Sequence, residues 1–233
     1  MPANVDSAET AKFDAHADQW WDQDGPLHTL HEINPVRLAW IARHARVAGA
    51  RMADVGCGGG VLTEGLARAG AVVTGVDLAA DALATAHEHA LAQGLAIDYR
   101  QLSAEALAAT APATFDAVAC LELLEHVPEP ASVVQACSDL LRPGGVAFFS
   151  TLSRSPQAYL QAVLAAEYVL RLLPRGTHQY ARFLRPAELA TLCRGAGLSV
   201  IDIQGLGYNP LTRRAGLRAQ VDVNYLLAAR KAR

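Results

Sequence analysis

The 233-residue sequence predicts an α/β fold: a doubly wound, mostly parallel sheet of seven strands, with a helical cap before it and a helical insertion after its fifth strand. Three observations carry that expectation. The apolar run Met52-Ala53-Asp54-Val55 breaks into Gly56-Cys57-Gly58-Gly59-Gly60, four glycines within five positions. Strand-like runs alternate with helical patterns from Arg51 to Thr151, the order that builds βαβ units. Hydrophobic content of 52% with 18% charged residues is that of an ordinary folded chain, and 233 residues suffice for a sizeable core.

The cap comes first, over residues 1–48. Asp6 and Glu9 have capping-box spacing, and Phe13, Ala17, Trp20 and Trp21 recur at helical intervals, which predicts a helix from Ser7 to Trp21. Asp24-Gly25-Pro26 ends it. After a loop holding His28 and His31, Asn34-Pro35 reads as an N-cap and first-turn proline opening a helix through Arg46. The core, residues 49–151, reads as strand Arg51–Val55, the glycine loop, helix Val61–Ala69, strand Ala71–Val76, helix Ala79–Gln93, and strands Ala96–Leu102 and Phe115–Cys120. Helix Ala131–Leu141, a Pro143-Gly144-Gly145 turn and strand Val146–Thr151 follow. In the insertion, 152–185, Tyr159, Leu160, Val163, Leu164, Tyr168 and Leu172 form a helical stripe stopped by Pro174. Residues 186–233 hold helix Pro186–Arg194 and strands Leu198–Gln204 and Asn224–Ala229, the last two suited to an antiparallel edge hairpin. No repeat or linker divides the chain, so one domain is expected.

Composition removes several classes of function. Apolar stretches are interrupted well before the ~18 residues of a membrane span. The first 36 residues carry one Lys, no Arg and seven acids, the wrong charge for a signal or transit peptide, so a cytoplasmic protein starting near Met1 is expected. Four scattered cysteines without CxxC spacing indicate reduced thiols rather than disulfides or zinc. Residues 1–139 carry 7 basic and 19 acidic groups, and residues 140–233 carry 13 and 4. A basic half suits an anionic partner such as a membrane surface, or simply a solvated face. The basic residues form no stripe interleaved with stacking aromatics, which argues against nucleic acid.

The glycine loop suggests a nucleoside cofactor. A dinucleotide fingerprint from Gly56 would need Gly or Ala at position 61, which is Val61, and no Walker lysine follows. Asp77 closes the second strand, where an acid accepts hydrogen bonds from ribose hydroxyls. Asp54-Val55-Gly56, Asp77, Phe115-Asp116-Ala117-Val118, Glu125-His126-Val127 and Leu141-Arg142-Pro143-Gly144-Gly145 resemble, in order and spacing, a class I S-adenosylmethionine-dependent methyltransferase.

Outside the core the likeness narrows. Trp20-Trp21-Asp22, His31 to Leu38, Glu122-Leu123-Leu124-Glu125-His126-Val127-Pro128, Ser150 to Arg154, Gly176-Thr177-His178, Tyr208-Asn209-Pro210 and Asp222-Val223-Asn224-Tyr225 resemble the ubiquinone-biosynthesis O-methyltransferase family, from about Phe13 to Leu227. The resemblance implies methylation of phenolic hydroxyls on polyprenylated catechol and demethylubiquinol intermediates, with partners in a ubiquinone-biosynthesis complex. It also implies a donor site of Asp54, Gly56, Gly58, Gly60, Asp77, Leu121 on the adenine edge, and Arg37 on the cofactor's carboxylate. Many relatives have Met where this chain has Leu121.

Glu122, Glu125 and His126 stand at i, i+3 and i+4 after the fourth strand, a spacing that gathers side chains on one helical face. Two carboxylates suit Mg²⁺ with a catechol's adjacent oxygens, and the resemblance implies that metal-binding role for all three. His126 alone suits a general base, and Glu-His after this strand also occurs in relatives that need no metal. Trp20 and Trp21 read as core or lid aromatics, and His28, His31 and His178 as loop hydrogen-bonders. Residues 156–185 mix Tyr159, Leu160, Val163, Leu164 and Tyr168 with Arg171, Arg175, Arg182 and Arg185, which suits a lid, a contact with an anionic membrane, or both. The membrane reading would put the protein peripherally on the cytoplasmic face of the inner membrane, and the lid reading leaves it in the cytoplasm. Two rival readings are a methyltransferase, O- or C-directed, for another small molecule, and a non-catalytic cofactor-binding scaffold.

Overall fold

A computed structural model describes residues 4–158 and 180–233. Most of the expected insertion, including its helical stripe, and His178 lie outside the described residues.

Strands β1 (Arg51–Val55), β2 (Val72–Asp77), β3 (Asp98–Gln101), β4 (Phe115–Leu121) and β5 (Leu141–Leu152) run parallel. β6 (Leu198–Asn209), β7 (Arg214–Arg218) and β8 (Asn224–Lys231) add antiparallel pairs, giving the order β3-β2-β1-β4-β5-β8-β6-β7. Among the described residues the sheet therefore has eight strands, one more than expected. The extra strand, β7, arises because β6 runs on to Asn209 and folds back as a hairpin. β8 is not at the edge as expected: it lies between β5 and β6 and pairs with both. Its run of five buried residues from Tyr225 to Ala229 befits a strand covered on both faces.

Helices α1 (Ser7–Asp14), α2 (His28–His44), α3 (Val61–Arg68), α4 (Ala80–Ala92), α5 (Ala104–Thr110), α6 (Pro130–Leu140), α7 (Pro156–Ala158) and α8 (Pro186–Gly195) accompany the strands. Alternation along each strand splits the core into two layers. Met52, Ala117 and Phe148 join Trp40, Ile41 and Leu66 on one face. Their neighbours Ala53, Val118 and Phe149 join Leu107, Leu140 and Leu189 on the other.

Four local expectations change. The first helix stops at Asp14, and Trp20 and Trp21 follow a separate 3-10 turn, Ala17–Gln19, that turns them onto the glycine loop. The second begins at His28, so Pro35 sits inside it, and Asn34 bonds Val61 O at 2.9 Å rather than capping. Packing of this helix outweighs the proline's missing N–H. Pro143-Gly144-Gly145 lies within β5, and the register slips there against β4 between Phe115 and Ala117, a bulge rather than a turn. Helix α5 was not expected; its N-cap is Ser103, whose hydroxyl accepts the Ala106 N–H at 3.2 Å.

Candidate active site

The glycine loop joins β1 to α3 at the carboxyl edge of the parallel strands, the edge at which open α/β sheets hold ligands. Gly56, Gly58 and Gly60 have φ of +73°, +50° and +85°, conformations that L side chains rarely adopt. Gly59 is needed for a different reason. A Cβ there would stand 2.0 Å from Trp20 Cγ, so the indole of the N-terminal cap lies directly on the loop. Trp21 Nε1 donates to Gly59 O at 2.9 Å and stacks on His89 with ring centroids 3.5 Å apart. Both tryptophans are thus the packing residues that the sequence suggested.

Asp77 ends β2 and accepts the N–H groups of Gly58 and Ala79, each at 2.8 Å. Loss of hydration pushes its carboxyl upward despite these donors. Asp54 is buried beneath the loop and accepts the Thr63 hydroxyl at 2.6 Å, which ties β1 to the first turn of α3. Burial pushes Asp54 up to about 6; the Thr63 bond works against that, and the Asp77 charge adds to it. Leu121, half-buried, ends β4 and lines the same cavity as Gly58 and Asp77.

Across the cavity, Arg37 is buried on α2 and donates to Glu122 Oε1 at 2.8 Å. The same oxygen accepts Ser150 Oγ at 2.7 Å and Asn224 Nδ2 at 3.1 Å. Glu122 has φ of +55°, a strained conformation for a non-glycine residue, worth on the order of 1–3 kcal/mol and held by these bonds. Two buried polar atoms on α2, Asn34 Oδ1 and Arg37 Nε, find no hydrogen-bond partner among the described residues, although both residues line the cavity.

The three expected metal ligands do not form one group: the Glu122 and Glu125 carboxyls lie against each other, while His126 turns to Glu9. The left-handed turn at Glu122 precedes a separate 3-10 turn, Leu124–His126, so the three residues do not share one helical face. Glu122 is committed to Arg37, Ser150 and Asn224. Glu125 accepts the Thr151 hydroxyl at 2.8 Å, and burial, with the Glu122 charge, pushes its carboxyl upward toward the neutral form. His126 Nδ1 lies 2.8 Å from Glu9 Oε2. Among the described residues, no group of three or more His, Cys, Asp or Glu side chains is arranged to hold a metal ion.

Sequence reasoning missed Glu9 because its spacing from Asp6 reads as a cap. Burial raises its carboxyl, but bonds to Lys12 and His126 more than offset this and hold it below the usual range. Phe13, also from α1, packs edge-on against His126 with centroids 5.1 Å apart at 85°. His28 and His31 make the expected hydrogen bonds, to Gly25 O and Trp20 O, each at 2.8 Å, although both stand on α2 rather than in a loop, and His31 also packs edge-on against Trp21. All four cysteines are buried and free. Among the described residues, no helix is long and apolar enough to cross a membrane.

Residues 53–149 match the family model described as a methyltransferase domain. The ubiquinone biosynthesis O-methyltransferase of Nitrosococcus oceani is 58% identical over 96% of this chain and 94% of its own length. That of Stutzerimonas stutzeri is 56% identical over 97% of each. Among solved structures, magnesium protoporphyrin IX methyltransferase from Synechocystis PCC 6803 with bound SAH superposes with a TM-score of 0.71 over 97% of this chain and 99% of that one. At 18% identity this likeness concerns the fold alone.

Proposed function

The chain belongs to the ubiquinone biosynthesis O-methyltransferase family of S-adenosylmethionine-dependent methyltransferases, and from that premise we propose that it methylates phenolic hydroxyls of polyprenylated catechol and demethylubiquinol intermediates. The observation that carries the reading is the pair of orphaned atoms on α2. Asn34 Nδ2 bonds Val61 O, which leaves Oδ1 as an unsatisfied acceptor three residues before the unsatisfied donor Arg37 Nε. Buried orphans of this kind call for a partner. An acceptor and a cationic donor one helical turn apart complement the ammonium and carboxylate of an amino acid, which is the methionine end of the donor.

In this reading Gly56, Gly58 and Gly60 let the backbone approach the cofactor, the lone pairs left on Asp77 accept the ribose hydroxyls, and Leu121 packs the adenine edge. Asp54 sets the loop by holding Thr63. When bound, S-adenosylmethionine supplies a sulfonium methyl that transfers in line to the phenolic oxygen, leaving the thioether. The protein must orient the acceptor and remove its proton, since a phenol with a pKa of about 10 is mostly protonated at neutral pH. His126 takes that proton as general base. Glu122 anchors Arg37, and Glu125 stays buried behind it. The donor arrangement does not fit a ready Mg²⁺ cage.

Polyprenyl tails reside in bilayers, so we place substrate capture at an anionic membrane, through residues 156–185, on the cytoplasmic face and near other enzymes of the pathway. The support is compositional: basic and apolar side chains mixed with a single acid, Glu167. Incubation with labelled S-adenosylmethionine and short-chain catechol or demethylquinol analogues tests the activity by mass spectrometry. An O-methyl product, undiminished by chelator, is expected. Methylation at carbon, or none, would overturn the reading, and loss of turnover on chelation would restore the metal.

A further inference from the structure

Methyl transfer changes the donor at one atom. When the S–CH₃ bond breaks, its electron pair stays on sulfur, and a cationic sulfonium becomes a neutral thioether. The donor that must bind and the product that must leave therefore differ by one methyl group and one positive charge. A fixed negative charge near the sulfur tells them apart.

The sheet places one carboxylate there. β1 lies between β2 and β4, and Asp54 stands opposite Gly75 on one neighbour and Ala119 on the other. Asp77 and Leu121 are each two residues further along those strands, and side chains two residues apart in a strand project to the same face. That face carries α2, since Met52, Val73 and Ala117 pack on it with Trp40 and Ile41. Asp54 thus lies between Asp77, assigned to the ribose, and Arg37, assigned to the donor's carboxylate, and the charges of both act on it. In the donor, sulfur is the atom that joins the ribose-bearing half to the amino-acid half. Asp54, Asp77 and Arg37 line one cavity, and Asp54 is 2% exposed, with the Thr63 hydroxyl bonded to it at 2.6 Å. Burial away from water and salt lets its charge act strongly over that distance.

We propose that Asp54 is a specificity-determining residue that distinguishes the sulfonium donor from the thioether product by charge. This rests on the reading of the cavity as the S-adenosylmethionine site. With the donor bound, the carboxylate faces the sulfonium; once the methyl group has left, that attraction is gone and the product is held by its two ends.

The charged and titratable groups that face Asp54 are Asp77 on β2, Arg37 on α2, Cys57 in the loop, Tyr99 on β3 and Cys120 on β4. Burial pushes the Cys57 thiol and the Tyr99 phenol upward, and Cys137 together with burial does so for Cys120, so these three stay neutral. Asp54 itself titrates at about 6, chiefly through burial. A cation beside it favours the ionised form, so loading the donor at pH ~6 expels a proton, and donor affinity relative to product rises between pH ~5 and ~7.

The test is calorimetry on the full chain with S-adenosylmethionine, S-adenosylhomocysteine and sinefungin, in which an ammonium-bearing carbon replaces the methylated sulfur. Asp54→Asn keeps the shape and an acceptor for Thr63 but removes the charge. It is expected to weaken the two cationic ligands about tenfold and S-adenosylhomocysteine less than about threefold, and the retained product binding shows that the variant is folded. In the wild-type chain at pH ~6, titrations in two buffers of different ionisation enthalpy should find S-adenosylmethionine releasing about 0.4 proton more than S-adenosylhomocysteine. Asp54→Asn should abolish that difference, which separates Asp54 from Asp77. Equal losses for cationic and neutral ligands, no proton difference in the wild type, or one that survives the substitution would overturn the charge-sensing role while leaving the donor site in place. A wild-type chain that bound none of the three would overturn the donor reading, and this proposal with it.

Discussion

Replacing Gly59 by Ala tests the claim that the cap tryptophan and the cofactor loop are one packed unit. The φ of Gly59 is not in the left-handed region, so alanine meets no backbone penalty of that kind. What it meets is Trp20: the new Cβ would lie 2.0 Å from Cγ and 2.2 Å from Cδ1, atoms at the root of the indole that cannot swing aside. Trp20 is 6% exposed, so relief means expelling a buried side chain. A tryptophan buries ~150–250 Å², which at ~25 cal/mol per Å² gives an upper bound of roughly 4–6 kcal/mol. Trp20→Ala alone should cost about 3–5 kcal/mol. In the double variant the methyl enters the space left by the indole, so the cost should barely exceed that of Trp20→Ala, a coupling on the order of 3 kcal/mol. Urea unfolding followed by far-ultraviolet circular dichroism measures all four corners of the cycle. If Gly59→Ala cost less than about 1 kcal/mol, or if the two substitutions simply added, the packing argument would be wrong.

Two further outcomes follow from buried polar groups. Asp54 titrates at about 6 in the folded chain against 3.8 ordinarily, so the folded state holds a proton that the unfolded state releases between those values. Stability attributable to this group is therefore highest below pH ~4 and falls by about 3 kcal/mol as pH rises through ~6. Asp54→Asn should erase that component, so variant and wild type should diverge between pH 4 and 6 in denaturant titrations; parallel curves would refute it. Arg37→Ala and Asn34→Ala should each weaken S-adenosylhomocysteine by about tenfold or more, yet change methylthioadenosine, which lacks the amino-acid end, less than about threefold. Calorimetry that finds equal losses for both ligands would dissociate these residues from that end.

Much of the fold was legible because β1, β2 and β4 are short, mostly apolar runs whose order with helices admits few topologies. The loop was legible for the same reason: β1 ends on a buried valine, and the positive φ values that follow demand glycine. Pairing partners were less legible. The unbroken apolar run Tyr225–Ala229 marks a strand covered on both faces, but not which strands its two edges meet, β5 and β6. At the site, spacing located Glu122, Glu125 and His126 but assumed a helix, and the left-handed Glu122 sends them to three different partners. Glu9 was hidden by its own local plausibility as a cap, because the residue it serves is 117 positions away. Asn34 likewise reads as a cap until Val61 O is seen to claim its amide.

The placement of β8 has a consequence for how the molecule is made. β5 and β6 do not touch along the sheet; each hydrogen-bonds to β8, with Phe148 opposite Ala228 on one side and Asp202 opposite Ala228 on the other. During synthesis the five parallel strands can assemble once β5 has emerged from the ribosome, but the open side of β5 keeps its N–H and C=O groups unpaired for some 70 further residues, a stretch that takes roughly 4–15 s at ~5–20 residues per second. Over that interval the nascent chain presents a hydrophobic strand edge, the kind of surface on which chaperones act and aggregates seed. Translation of Asn224–Lys231 is thus the event that joins two half-sheets, and a ribosome stalled before it would hold a chain with its cofactor loop formed and its sheet still open.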